Sequence, residues 1–136
     1  MLNFSHIHFG VDDIARAASF YKPIMDRLGW WLRDEEIDEG WLGWKPPHDE
    51  RPLFLIGWPW NKQQVIAGNG PMVAFEAYSR EVVNDCYGLA ISAGGAIEGA
   101  PGLRSHYHPH YYGAYARDPY GNKLCFVCHA PSQDKD

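Results

Sequence analysis

Two stretches of this chain echo each other at an offset of 66 positions, the distance from His6 to Met72, and no other feature limits its folds as strongly. The same offset sets Phe9 over Phe75, Tyr21 over Tyr87 and Gly29 over Gly95, and it aligns two helix starts and two helix stops. A duplicated unit is therefore expected, and each copy should carry the same order of strands and helix. With 136 residues, the chain fits one domain that buries roughly two-thirds of the surface of its unfolded form.

The first copy reads as follows. From Asn3 to Val11 the residues alternate, with Phe4, His6, His8 and Gly10 on one face, which suits a strand. Asp12 and Asp13 can cap a helix, along which Ile14, Ala18, Tyr21, Met25 and Leu28 recur at spacings of three and four before Gly29 stops it. Pro23 is expected to kink this helix. Trp30 to Arg33, Trp41 to Lys45 and Leu53 to Ile56 then read as three strands, with the acidic run from Asp34 to Glu39 as a solvated hairpin tip. Pro59 to Pro71 is polar, turn-rich and reads as a connector.

The second copy begins with an extended Met72 to Tyr78. Ser79 then caps a helix carrying Val83, Cys86, Tyr87 and Ala90 on one face and ending at Gly94-Gly95. A short strand over Ala96 to Gly99 and a long loop with the sequence GAPGLRSHYHPH come next. Strands over Tyr111 to Arg117 and Lys123 to His129 close the unit, joined by the turn Asp118-Pro119-Tyr120-Gly121. The fold class is α+β, two βαβββ modules in one chain: module one about 1–58, a linker about 59–71 and module two about 72–130.

Composition narrows the function. Seventeen acidic against 12 basic residues give a formal charge of -5 with no run of Lys or Arg, so nucleic acid is not an expected partner. No apolar run approaches the length of a membrane span, and the start MLNFSHIHFG lacks a secretory pattern, so a cytoplasmic protein that does not engage membranes is expected. Three cysteines, Cys86, Cys125 and Cys128, are expected as free thiols. Cys125 and Cys128 have the Cys-x-x-Cys spacing, but within a strand it sends them to opposite faces. Six Trp, eight Tyr and six Phe are enough to line a cavity for a small-molecule ligand.

The segment HIHFGVDDIARAASFYKPIMDRLGW, with MVAFEAYSREVV and GGAIEGAPGLRSHYHPHYYGAYARDPYGNKLCFVCH, resembles the vicinal oxygen chelate superfamily, the glyoxalase and bleomycin-resistance relatives, in its small glyoxalase-like branch. Its most specific pieces are the Asp-Pro-x-Gly-Asn turn and the Phe20-Tyr21 pair. The resemblance implies a curved mixed sheet around a cavity, a homodimer and a lyase, isomerase or dioxygenase activity, or else sequestration of a ligand without chemistry. It also implies four inward positions that can hold a divalent metal. The first falls on His6 and the third on Met72; matching the closing strands of the two halves puts the second on Phe54 and the fourth on Cys125.

Only His6 is a conventional ligand, so no cofactor is expected at these positions, although His6 and Cys125 are the residues that would hold a divalent metal. Together His6, Met72 and Cys125 would suit a soft ion such as Cu(I); the alternative is that Met72 and Cys125 line an apolar pocket. His6 is left as the candidate acid–base group. His106, His108 and His110 alternate in the long loop, either as a metal clasp or as solvated side chains. That loop is expected to close the cavity, placing Arg104, Tyr107 and His108 on the ligand, with Arg104 able to bind an anionic head. Tyr112, in the strand that follows, is assigned to the same pocket.

Overall fold

The computed structural model describes residues 2–132. In chain order it contains β1 (His6–Gly10), α1 (Ile14–Leu28), β2 (Trp31–Glu36), a 3₁₀ turn (Ile37–Glu39), β3 (Trp41–Lys45), β4 (Leu53–Gly57), β5 (Met72–Glu76), α2 (Arg80–Ser92), β6 (Ala96–Leu103), β7 (Tyr112–Arg117) and β8 (Lys123–Cys128). The strands form two four-stranded sheets in equivalent orders, β1-β4-β3-β2 and β5-β8-β7-β6. In each, the first strand runs parallel to the last and the remaining pairs are antiparallel. The duplication read from the sequence is thus a duplication of structure.

The caps explain where the helices start. Asp13 accepts from the backbone N–H of Arg16 at 3.1 Å and Ser79 from that of Val82 at 3.2 Å, so each helix begins with an orphan amide satisfied by a short side chain. The stops differ by one residue. Gly29 takes the left-handed φ of 88° that ends α1, but in the second module that role passes to Gly94, at φ 96°. Gly95 is needed for closeness: a Cβ there would lie 2.7 Å from the carbonyl oxygens of Ala90 and Arg117. Pro23 lies inside α1 without ending it.

Alternation along the strands sorts each sheet into two faces. Phe9, Leu42, Trp44, Phe54 and Ile56 from the first sheet and Val73, Phe75, Ala114, Ala116, Leu124, Phe126 and Cys128 from the second join the helices in one continuous core. The core crosses the module boundary through Phe54 and Phe75, whose rings meet edge to face at 5.0 Å. Cys125 and Cys128 do take opposite faces, but both are buried, because the face holding Cys128 is the one against the core. No described helix is long and apolar enough to cross a membrane.

The modules are fastened at the β7–β8 turn. Tyr21 on α1 donates to Asp118 Oδ2 at 2.5 Å, Tyr120 donates to the Asp13 carbonyl at 2.9 Å, and Asn122 Nδ2 donates to the Gly10 carbonyl at 2.8 Å. Burial, reinforced by the Asp118 charge, pushes the Tyr21 hydroxyl well above the ordinary phenol range. A group whose folded pKa is raised keeps its full contribution below its unfolded pKa and loses it as pH rises beyond. Tyr21→Phe is therefore expected to cost about 1–3 kcal/mol at neutral pH, the penalty for leaving a buried acceptor short of a donor. The wild type should also lose stability more steeply than the variant above pH ~10. Denaturant titrations at neutral and alkaline pH measure both, and equal stabilities at neutral pH would refute the fastening role.

Candidate functional site

The faces turned away from the core carry the chemistry, and the two sheets differ sharply there. On the first, the parallel register sets His6 beside Leu53 and His8 beside Leu55. The expected connector does more than connect: it folds back over this face, tied by Val65 N–H donating to Asp12 Oδ1 at 3.1 Å. A cavity of about 640 Å³ results, lined by His6, His8, Leu55, Trp58, Trp60 and Gln64 among others. Burial first, and the His6 ring second, hold the His8 imidazole below its ordinary range, which favours its neutral form. His6 itself is exposed, with Ser5 Oγ 2.9 Å from its Nδ1.

On the second sheet, Met72, Ala74 and Glu76 of β5 share a face with Lys123, Cys125 and Val127 of β8 and with Tyr115 of β7. Cys125 has no exposed surface. The Tyr111 hydroxyl lies 3.6 Å from its sulfur and 2.9 Å from the Tyr115 hydroxyl. Burial pushes the Cys125 thiol up, against the smaller opposing pull of Tyr111, Tyr115, Arg104 and Lys123, so the sulfur keeps its proton. Desolvation and the same hydrogen bonds push the Tyr111 phenol up as well.

Two cations meet this cluster. The Arg104 guanidinium lies 5.6 Å from the Tyr115 ring centre and the Lys123 ammonium 5.5 Å from it. Arg104 donates to the Ala100 carbonyl at 2.8 Å. Gly99 and Gly102 give it room: a Cβ on either would stand 3.1–3.3 Å from its terminal nitrogens. Strand β6 therefore runs to Leu103, beyond the expected Gly99, in a form shaped around this arginine.

The expected site residues do not all gather. Arg104 and Cys125 belong to this second face, and Met72 lies on it, 40% exposed, opposite Lys123. The Tyr107 ring packs at a tilt on Tyr111 with centres 4.8 Å apart, and His108 packs against the same ring at 5.6 Å, so the loop does border the cluster. His6 stands on the other sheet, and among the described residues no hydrogen bond, ion pair or ring contact links it to the cluster. Phe54 is one residue out of phase with His6. It pairs with Ile7, is buried in the core, and forms part of the wall of a separate cavity of about 660 Å³ between the modules, with Phe4, Trp30 and Phe75. Tyr112 turns to the helix side, donating to Asn84 Oδ1 at 2.7 Å beneath Arg80.

Sequence reasoning missed Tyr111, Tyr115 and Lys123. Lys123 was within reach by alternation from Cys125. Tyr115 followed from the tight 118–122 turn, which pairs Arg117 with Lys123 and hence Tyr115 with Cys125.

The four positions that the family resemblance assigns to a metal do not fit one. His6 is the one conventional donor of the four and sits beside Leu53, whereas Phe54 is core, Met72 is a thioether and burial pushes the Cys125 thiol up, so a single imidazole is left to hold a hard or borderline divalent ion. Among the described residues no group of three or more His, Cys, Asp or Glu could hold a metal ion.

The sequence pattern of the Glyoxalase/Bleomycin resistance protein/Dioxygenase superfamily matches residues 3–126. A glyoxalase/bleomycin resistance protein from Albidiferax ferrireducens, known from its crystal structure, is 32% identical, with a TM-score of 0.79 over 94% of this chain and 98% of that one. A glyoxalase-related enzyme from Fulvimarina pelagi (16% identity, TM-score 0.69, 94% and 88% covered) and a lactoylglutathione lyase from Agrobacterium tumefaciens (17%, 0.60, 94% and 94%) share the fold. No functionally curated protein matches. With duplicated βαβββ modules, a pattern match across nearly its whole length and a relative at this identity, the chain belongs to the Glyoxalase/Bleomycin resistance protein/Dioxygenase superfamily.

Proposed function

We propose that this protein binds a small organic anion on the outer face of its second sheet, held by Arg104 and Lys123 against Tyr115, and that binding needs no metal. The observation that carries the reading is the seating of Arg104. One N–H is spent on the Ala100 carbonyl, the guanidinium lies against Tyr115, and two glycines clear its space. An arginine fixed in this way keeps its remaining donors oriented before a ligand arrives, which lowers the entropy cost of binding a carboxylate. Lys123 adds a second positive charge to the same ring, and the buried Cys125 and Tyr111 present a weakly polar floor.

Turnover of the family type, as a lyase, isomerase or dioxygenase, asks in addition for a proton-accepting group. His6, with the neutral His8 beside it, fits that role. It stands on the first sheet, so a reaction that used both faces would need them to meet. β1 and β5 each stand at the edge of their sheet with no strand beyond them, and a homodimer built on those edges could bring the faces of two copies together. Light scattering is expected to give twice the chain mass of 15.5 kDa, and a monomer at micromolar concentration would remove the partner from this reading.

A thermal-shift screen of small carboxylic and phosphoric acids should find the ligand. Arg104→Ala is then expected to weaken it about ten- to a hundredfold, since one charge-assisted hydrogen bond contributes about 1.5–3 kcal/mol, in a variant whose circular dichroism remains that of the folded protein. Unchanged affinity for every ligand found would show Arg104 to be a surface cation instead. Elemental analysis of the purified protein is expected to return well under one Mn, Fe or Ni per chain, and the double change Met72→His, Cys125→Glu to raise it. About one such ion per unaltered chain would overturn the metal-free reading.

A further inference from the structure

Hydrogen bonding at the tip of the 104–111 loop fixes where two histidines carry their protons. The backbone N–H of His110 donates to Nδ1 of His108 at 3.1 Å. That nitrogen must therefore offer a lone pair, and a neutral His108 carries its proton on Nε2. Nε2 lies 2.8 Å from Nδ1 of His129, the residue following β8. His129 Nδ1 must then be the acceptor, which leaves the proton of His129 on its Nε2, 3.9 Å from Oε1 of Glu76.

The arrangement has no place for another proton. Added to His108, it would sit on Nδ1 and face the amide of His110. Added to His129, it would sit on Nδ1 and face the N–H of His108. Either protonation puts donor against donor and breaks a bond that holds the loop. Of the two rings, His129 has a second partner ready, because Glu76 on β5 is a carboxylate and attracts an imidazolium. The other titratable groups around the pair are Tyr111, whose ring is 5.5 Å from His129 and 5.6 Å from His108, and His106, Tyr107 and His110 within the loop. Among the described residues, the carboxylate within reach of the His129 ring is Glu76, 3.9 Å from its Nε2.

We propose that His129 is a pH-operated latch: neutral, it holds His108 and with it the loop tip, and protonated, it exchanges His108 for Glu76 and releases the tip. Three backbone bonds stay in both states, from Arg104 N–H to the Tyr111 carbonyl at 2.8 Å, from Tyr107 N–H to the Arg104 carbonyl at 3.0 Å and from Tyr111 N–H to the His108 carbonyl at 3.2 Å, and Arg104 remains on Ala100. What the latch frees is the His108 ring and the turn 105–110 around it, including the Tyr107 side chain, which leans on Tyr111 beside the cation cluster. Acidification thus uncovers the face that binds the anion; this consequence rests on the function proposed above, whereas the latch itself does not.

Imidazole nitrogen NMR on the intact protein tests the latch directly. At pH ~7.5 both His108 and His129 are expected as the Nε2–H tautomer. On acidification to pH ~5, backbone order parameters over 105–110 should fall from about 0.85 to below about 0.6. His129→Phe keeps a ring against Tyr111 but removes the acceptor, and should leave the tip loose at both pH values. Glu76→Gln should keep the tip ordered at pH ~7.5, and a loose tip there would overturn the proposal, since His108 and not Glu76 is the neutral partner. A proton on Nδ1 of His129 at pH ~7.5, or a tip equally ordered at both pH values, overturns the proposal, as does a His129→Phe loop indistinguishable from wild type. If the tip is released as expected but the affinity of a carboxylate ligand ignores both pH and Arg104→Ala, the latch stands and the anion site falls. If Arg104→Ala weakens the carboxylate while the tip never loosens, the anion site stands and the latch falls.

Discussion

Everything else in the molecule leans on one buried carboxylate. Asp118 is 3% exposed and pairs with no cation among the described residues, yet both its oxygens are saturated. Oδ1 takes the backbone N–H groups of Tyr120 and Asn122, and Oδ2 takes the Tyr21 hydroxyl and the Asn122 amide. Burying a charge without donors would cost several kcal/mol; four donors offset that cost and make the position intolerant of change. Three of the donors belong to the turn itself, so the carboxylate shapes the β7–β8 hairpin. The fourth comes from α1 in the other module, so the same group fixes where the modules meet. The Asn122 amide repeats the pattern, spanning Asp118 and the Gly10 carbonyl at the end of β1.

That turn also decides the chemistry of the second sheet. A tight 118–122 connection pairs Arg117 with Lys123, and the period of two then places Tyr115 opposite Cys125 and the core residues Ala114 and Ala116 opposite Phe126 and Leu124. A slip of one residue would turn Cys125 and Tyr115 into the core and push Phe126 out. The outer face and the core face are two readings of one register. Only with Tyr115 outward do Arg104 and Lys123 have a ring to share.

Much of this was legible in the residues. The caps Asp13 and Ser79 and the apolar spacings located both helices, and the offset between the halves gave the module architecture, because those signals are local or repeat. The failures have physical causes. Ala96 to Gly99 reads as strand, but the GAPGL that follows looks like loop because glycine and proline are poor strand formers, yet β6 continues to Leu103: the antiparallel partner β7 supplies the backbone pairing, and Gly99 and Gly102 leave room for the Arg104 side chain. Phe54 was placed on the ligand face by matching the closing strands of two modules, and a match one residue out of phase sends a side chain to the opposite face. The connector looked passive because its tie to Asp12 is a long-range hydrogen bond with no local signature. The Tyr111, Tyr115 and Cys125 group draws on positions up to fourteen residues apart that only tertiary pairing brings together.

The two faces show how a duplicated scaffold can diversify its surfaces. Both descend from the same positions of the repeat, since His6 and His8 correspond to Met72 and Ala74, and yet one face carries imidazoles and indoles while the other carries phenols, a thiol and two cations. Where relatives in the superfamily can use a divalent ion to gather oxygens of the substrate, the second face offers fixed organic cations. The exchange changes the available chemistry. A metal polarises oxygen as a Lewis acid and can lower the pKa of bound water. A guanidinium and an ammonium instead stabilise a charge that already exists, through directional hydrogen bonds and without activating water. A face built in this way favours a ligand that arrives as an anion over one that must be ionised on the protein. The raised thiol of Cys125 and phenol of Tyr111 agree with that, because both remain neutral donors and add no negative charge to the face.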